Sequence, residues 1–194
     1  MFESDEYTHQ LRNLKRKAES YQEVLRNTEE YREIWKENFK QQIINALTEL
    51  MEKLELTGKI QVREQMENLE AIYLTLGKSQ SGMYTEVSEG VERHLIKHNG
   101  TLIYQQLFNG KIIVLVQYPY IEGYGKPKQP KTIAIYRPEE LKPPFFIRHM
   151  ETFLNEVTMW EDYDDDEPHK RIGFELNFGD TTGEEDEEEQ SKVS

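Results

Sequence analysis

The chain contains no cysteine. This absence excludes disulfides, thiolate metal ligands and thiol nucleophiles, and it is typical of a reducing compartment. Long apolar runs are absent too: the longest aliphatic run, Ile112 to Val116, is far shorter than the roughly 20 residues of a membrane span. The first residues are acidic and lack the apolar stretch of a secretory signal. We therefore expect a soluble, cytoplasmic protein that does not contact membranes.

Glycine and proline are absent from residues 5–56, which are rich in helix-forming side chains and predict one long helix. Apolar residues along its first half alternate at spacings of three and four, which is the pattern of a coiled-coil seam. These residues are Leu11, Leu14, Ala18, Tyr21 and Leu25. The stripe resumes at Trp35, Phe39, Ile43 and Leu47, where spacings of four shift its phase like a stutter.

Thr57-Gly58 predicts the end of this helix, because glycine readily adopts the left-handed conformation after a helix. Apolar spacing then predicts a second helix over about 60–76, joined by a short connection and therefore antiparallel to the first. The second helix is shorter and would cover only the C-terminal half of the first. The seam from Leu11 to Leu25 would remain for self-association or a helical partner. A third helix is expected over about 84–98, although Gly90 disfavours it.

Asn109-Gly110 separates two apolar runs and predicts a β-hairpin over residues 101–118. A two-residue turn would place Phe108 opposite Lys111 and Ile103 opposite Val116. One face would then carry Ile103, Leu107, Ile112, Val114 and Val116, and the other Leu102, Tyr104, Phe108, Ile113 and Leu115. Because neither face is polar, we expect both to be covered.

The remaining elements complete an α+β fold. Residues 131–136 predict a strand, residues 145–160 an amphipathic helix on one face of the sheet, and residues 172–178 a last strand. The mainly antiparallel sheet would follow the N-terminal helix or helical hairpin. The predicted organisation is a coiled-coil-like helical region (1–76), an α+β domain (77–179) and a disordered acidic tail (180–194).

The net charge of −13 is concentrated in two places. Residues 161–167 carry six acidic side chains, and the tail from residue 180 has a net charge of six negative units. The rest of the chain is nearly neutral. We interpret the tail as a solubilising segment, which repels nucleic acid and in some proteins binds basic partners.

Motifs with a defined chemistry are incomplete. Gly77-Lys78-Ser79 lacks the first glycine of a phosphate-binding loop, because position 72 is isoleucine. His94 and His98 would share one helix face, but no third metal ligand can be assigned. The aspartates at 162, 164 and 166 are not followed by the glycine and glutamate of a calcium loop. We predict no cofactor, no metal and no catalytic residue, although paired carboxylates leave no fixed spacing in a sequence.

One loop combines aromatic and basic residues, a composition that suits a protein partner as well as single-stranded nucleic acid or a phosphate ligand. Its candidate contact residues are Tyr120, Tyr124, Lys126, Lys128 and Lys131. The structural alternative is a proline-stiffened connection whose tyrosines pack on the sheet edge.

The leading hypothesis is a non-catalytic adaptor, assembly or chaperone-like protein that binds proteins and self-associates. Its contacts would come from this loop and from Leu11, Leu14, Tyr21 and Leu25 of the first helix. The alternatives are a nucleic-acid or phosphate-ligand binder that uses the loop, and an enzyme with a carboxylate or histidine site between sheet and helices.

Overall fold

The structure is a computed structural model that describes residues 5–88 and 90–162. A continuous helix over residues 5–53 comes first, formed by α1 (Asp5–Ile34), a π-helical turn (Trp35–Phe39) and α2 (Lys40–Lys53). At 1.5 Å per residue it is about 75 Å long. It ends before the predicted Thr57-Gly58: Glu55 takes the left-handed conformation, and the Leu56 N–H donates to the Met51 carbonyl at 3.0 Å. The long N-terminal helix is confirmed.

The π-helical turn resolves the stutter in the apolar stripe. Four-residue spacings drift around an α-helix, whereas a π-helical turn contains more residues and reverses part of that drift. Trp35, Phe39, Ile43 and Leu47 are consequently all buried on one side of the helix. The change of spacing in the sequence marks the position of the wide turn.

Eight strands follow within the described residues. They are β1 (Lys59–Arg63), β2 (Ala71–Thr75), β3 (Lys78–Ser88), β4 (Val91–His98), β5 (Thr101–Gln106), β6 (Ile112–Gln117), β7 (Tyr120–Ile121) and β8 (Lys131–Tyr136). A five-stranded sheet has the order β1-β2-β5-β6-β8, and a three-stranded sheet has the order β3-β4-β7. Every pairing is antiparallel. The β3–β4 hairpin is thus an insertion in a simple meander.

The two helices predicted over residues 60–76 and 84–98 are wrong, and so is the helical hairpin. Residues 59–75 supply β1 and β2, separated by a loop in which Asn68 has a φ of 61°. Residues 78–98 form the β3–β4 hairpin, with Gly90 at a φ of 76° in its turn. Apolar spacing over such short segments does not distinguish a helix from a strand, and pairing with distant strands decides between them.

The hairpin over residues 101–118 is confirmed, but its predicted register is wrong. The Leu107 N–H donates to the Lys111 carbonyl at 2.7 Å, and Gly110 takes a φ of 74°, so the loop has three residues instead of two. Ile103 therefore lies opposite Leu115 and not Val116. A slip of one residue exchanges the faces of one strand relative to the other.

The corrected register gives the five-stranded sheet one apolar face and one mixed face. The apolar face combines residues that were predicted to lie on opposite sides: Leu102, Tyr104, Ile112, Val114 and Val116. On the other face Gln105 and Gln117 alternate with Ile113 and Leu115. The expectation that both faces are apolar is therefore wrong.

The helix α3 (Pro143–Glu161) follows a short 3-10 turn (Pro138–Glu140) and covers the same apolar face as α2. Its predicted span and its position on the sheet are confirmed. The core between these layers contains Trp35, Phe39, Ile43, Leu47, Ile72, Leu74, Leu102, Tyr104, Ile112, Val114, Val116, Phe146, Met150 and Phe153. The predicted strand over 172–178, the tail over 180–194 and most of the acidic segment 161–167 lie outside the described residues.

The hairpin tip, defined as residues 107–111, packs against the long helix at Gly110. A Cβ atom at this position would lie 2.6 Å from Tyr31 Cβ and 3.0 Å from the Thr28 carbonyl oxygen. We expect Gly110→Ala to lower the free energy of unfolding by about 2 kcal/mol or more, because it adds this overlap to the cost of a positive φ.

Gly82→Ala is the matched control, since Gly82 has a φ of 77° with nothing within 4 Å of the added Cβ. Urea unfolding of both variants measures the difference. Equal losses in the two variants would contradict the close packing of the hairpin tip on the helix.

Candidate protein-binding surface

The first part of the long helix projects from the rest of the molecule. Every residue from 7 to 26 is exposed except Asn13, which is half-buried, and burial by the domain begins at Asn27 and Thr28. We call residues 7–26 the projecting helix. At 1.5 Å per residue it extends about 30 Å.

An apolar stripe runs along the projecting helix and remains in contact with solvent. We call its five residues the open seam: Leu11, Leu14, Ala18, Tyr21 and Leu25. Leu14 is 62% exposed and Tyr21 is 65% exposed. Contiguous patches of exposed apolar residues often mark interaction sites on soluble proteins. Four of these residues are predicted contacts, and the structure places them together on one exposed helix face.

The open seam and the buried stripe of the helix lie on the same face. Leu11, Ala18 and Leu25 are the a positions of one heptad frame, and Thr28 and Trp35 are d positions of the same frame. Thr28 lies against the hairpin tip, and Trp35 is fully buried. From Thr28 onward the domain therefore covers the same side of the helix that the open seam exposes to solvent over residues 11–25.

Polar contacts hold the long helix on the domain at the π-helical turn. Trp35 Nε1 donates to Glu70 Oε2 at 3.0 Å, and Lys40 Nζ donates to the same oxygen at 2.9 Å and to Glu64 at 2.6 Å. Burial raises the pKa of the Glu70 carboxyl, but the hydrogen bonds from Lys40 and Trp35 outweigh it and hold the pKa below its usual value. Glu70 therefore stays ionised and fixes the direction in which the helix leaves the domain.

The junction between the open seam and the domain was not predicted from the sequence. Arg32 donates from its guanidinium to the Phe108 carbonyl oxygen, and the Phe108 side chain is 72% exposed beside it. The junction joins residues 76 positions apart, so its only signal in the sequence was the fading of the seam at Thr28 and Arg32.

The loop with tyrosines and lysines is largely engaged within the chain. Lys131 forms an ion pair with Glu156, and the Tyr118 hydroxyl donates to the same carboxylate at 2.8 Å. Lys128 Nζ lies 4.0 Å from the centre of the Tyr118 ring. Burial and the Glu156 carboxylate raise the pKa of Tyr118 to about 12. These contacts join the loop to Tyr118 and to Glu156 of α3.

The other predicted loop residues are divided between packing and solvent. Tyr120 stacks on His98 with 4.2 Å between ring centres, and Tyr124 packs against Tyr118, Ile121 and Trp160. Lys126 is exposed. Both tyrosines are therefore half-buried in contacts within the chain.

The two histidines at 94 and 98 lie on β4 and take different surroundings. His98 Nε2 lies 2.6 Å from Glu122 Oε1, which also accepts a hydrogen bond from Lys78. His94 lines an open cleft of about 210 Å³ together with Arg93 and Glu122. Among the described residues no group of three or more histidine, aspartate or glutamate side chains is arranged to hold a metal ion.

His149 is the most deeply buried ionisable group of α3, at 2% exposure. Its Nδ1 lies 3.0 Å from the Tyr104 hydroxyl and its Nε2 lies 3.0 Å from the Tyr136 hydroxyl. A neutral imidazole donates from one nitrogen and accepts at the other, so both hydroxyls are satisfied. Burial lowers the pKa of His149 to about 4. In the sequence His149 is not part of any motif with other polar residues. Its only signal was its position on the apolar stripe of its helix, three residues after Phe146.

Comparisons of the chain with models of protein families, with characterised proteins and with solved structures give no match. None of the helices in the described part of the chain is both long enough and apolar enough to cross a bilayer. The geometry of the surface is therefore the guide to function.

The buried histidine predicts a pH dependence of stability. Because its pKa falls from 6.5 in the unfolded chain to about 4 in the fold, the unfolded chain binds a proton first as the pH falls. The full contribution is present above pH 6.5 and is lost progressively towards pH 4, by about 3 kcal/mol in all. Urea unfolding across this interval measures the loss.

His149→Gln should flatten this part of the profile, since an amide can pair with both hydroxyls but does not titrate. His94→Gln, the same substitution at an exposed position on β4, is the matched control with which the His149→Gln profile is compared. A His149→Gln profile that parallels that of the unmodified protein would contradict the assignment.

Proposed function

We propose that this protein is a non-catalytic, self-associating protein of the adaptor or assembly kind, and that its projecting helix is the element that associates. The observation that carries the proposal is the open seam, which continues the buried stripe of the same helix beyond the edge of the domain. A stripe with coiled-coil spacing is normally buried against another helix.

The energetics of an isolated helix support the proposal. Nucleation of a helix is unfavourable, and an isolated helix of about 20 residues in water is only marginally stable. The ion pair of Lys15 with Glu19 and the contacts of Asn13 with His9 and Arg16 are local and exposed. Exposed pairs of this kind contribute little to stability. Association through the open seam would supply the missing stabilisation.

The loop with tyrosines and lysines is the other predicted contact surface, and its contacts within the chain favour the projecting helix as the main association element. Lys128 and Lys131 of the loop are engaged with Tyr118 and Glu156 of the same chain. Binding a partner there would require breaking these contacts, whereas the open seam has no such cost. We therefore assign the partner contact to the projecting helix.

Analytical ultracentrifugation of the full chain tests the proposal. We expect a mass of at least twice 23.1 kDa for the unmodified protein, and a monomer for the double variant Leu14→Lys, Tyr21→Lys, because two charges in a helix seam cannot be desolvated. The helical circular dichroism signal should fall in the same variant as the projecting helix loses its support.

The matched control is Ser20→Lys with Glu23→Gln, which changes the net charge equally at exposed positions outside the open seam. It should still associate. At a concentration at which both variants are monomeric, urea unfolding of the domain should be the same in both, since these positions precede the buried part of the helix. A monomeric unmodified protein at the highest attainable concentration would reject self-association.

A further inference from the structure

We propose that two copies associate antiparallel through their projecting helices, with their domains at opposite ends of the helix pair. This inference rests on the proposed self-association and names its geometry. It follows from the position of the domain, which lies on the same face of the helix as the open seam from Thr28 onward.

A parallel pair is excluded by this position. In a parallel pair the second helix would run beside the first on its seam face and continue past Thr28. The hairpin tip occupies that space, since Gly110 lies against the Thr28 carbonyl and the Arg32 backbone nitrogen. Helices pack about 8–10 Å apart, so the second helix would need the space beside Thr28 that the hairpin tip fills. Each domain would therefore collide with the other copy's helix.

An antiparallel pair avoids the collision, because each helix then approaches the other domain with its N-terminal end. One register places Leu11 of one copy opposite Tyr21 of the other and Leu14 opposite Ala18, and Leu25 then faces Tyr7. Both layers occur twice through the two-fold axis, which makes the interface self-complementary. In one layer two large residues, Leu11 and Tyr21, face each other, and in the next layer the large Leu14 faces the small Ala18. Such layers can pack knobs into holes.

Shifts by one heptad are less favourable on geometric grounds. A shift towards the domains places the other copy's Leu11 opposite Thr28, where the hairpin tip packs. A shift in the other direction leaves Ala18, Tyr21 and Leu25 without a facing seam residue, whereas the intermediate register leaves only Leu25 without one. The intermediate register is therefore the one that the fold permits.

This register places position 16 on the two-fold axis. Lys15 of one copy then lies beside Lys15 of the other, and Lys17 lies beside Lys17. Like charges at such positions oppose association, and salt screens them. In a parallel pair Lys17 would instead lie beside Gln22 of the other copy. The antiparallel arrangement therefore has an electrostatic signature that the parallel one lacks.

Cysteine cross-linking tests the direction of the pair, and the absence of native cysteine leaves no competing thiol. We expect a mixture of full chains carrying Leu11→Cys and Tyr21→Cys to form a disulfide-linked dimer after subunit exchange and oxidation. Either variant alone should not, because the two copies of residue 11 would lie about 15 Å apart along the axis.

The outcomes separate the two proposals. Cross-linking of each variant with itself and not in the mixture would overturn the antiparallel arrangement while leaving self-association intact. Absence of any cross-link, in variants that sediment as dimers, would also overturn this register. Monomers by sedimentation would reject the proposed function itself.

The charge signature gives a second test. Lys17→Gln should tighten association several-fold in low salt and reduce its dependence on sodium chloride. Arg16→Gln removes the same charge at a position that faces away from the seam, and should have a smaller effect. An equal effect of the two substitutions would contradict the antiparallel register.

Discussion

The structure depends on one apolar stripe along a single helix, of which the domain covers only the C-terminal half. Trp35, Phe39, Ile43 and Leu47 are buried against the five-stranded sheet, whereas the open seam has no counterpart in the domain. A sheet of five short strands is about 20–25 Å wide at the usual strand spacing, and it cannot cover a helix of about 75 Å. The excess of helix over sheet is therefore the origin of the projecting helix.

The place where the covered half begins is set by contacts between distant parts of the chain. Gly110 permits the hairpin tip to approach the helix backbone at Thr28. Glu70 accepts hydrogen bonds from Trp35 of the π-helical turn and from Lys40, the first residue of α2. Both contacts are made by groups with little freedom: a glycine at a positive φ and an ionised, largely buried carboxylate. The helix leaves the domain in a fixed direction, with its seam face continuous across the boundary. Because the seam face is continuous across this boundary, the position of the domain limits the directions in which the helix of a second copy could pack on the seam.

The register of one hairpin decides the character of the sheet. With a two-residue turn both faces would have been apolar and would have needed cover. The three-residue loop around Asn109-Gly110 places Gln105 and Gln117 together on one face, where they alternate with Ile113 and Leu115. The other face carries Leu102, Tyr104, Ile112, Val114 and Val116. The helices α2 and α3 both pack on this second face. The same loop brings Gly110 to the helix.

Local patterns in the sequence determined the elements whose signals were long or unambiguous. The long helix, the hairpin around Asn109-Gly110, the strand at 131–136 and the amphipathic α3 were predictable, because propensity and periodicity agreed over each of them. So was the uncovered state of Leu11 to Leu25, although the predicted reason, a short second helix, was wrong. Only the tertiary structure decided between helix and strand at 59–75 and 78–98, where apolar spacing fits both and pairing with β5 and β7 selects the strand. It also decided the hairpin register, the burial of His149 and the side of the helix on which the domain lies, since these depend on contacts between residues far apart in the chain.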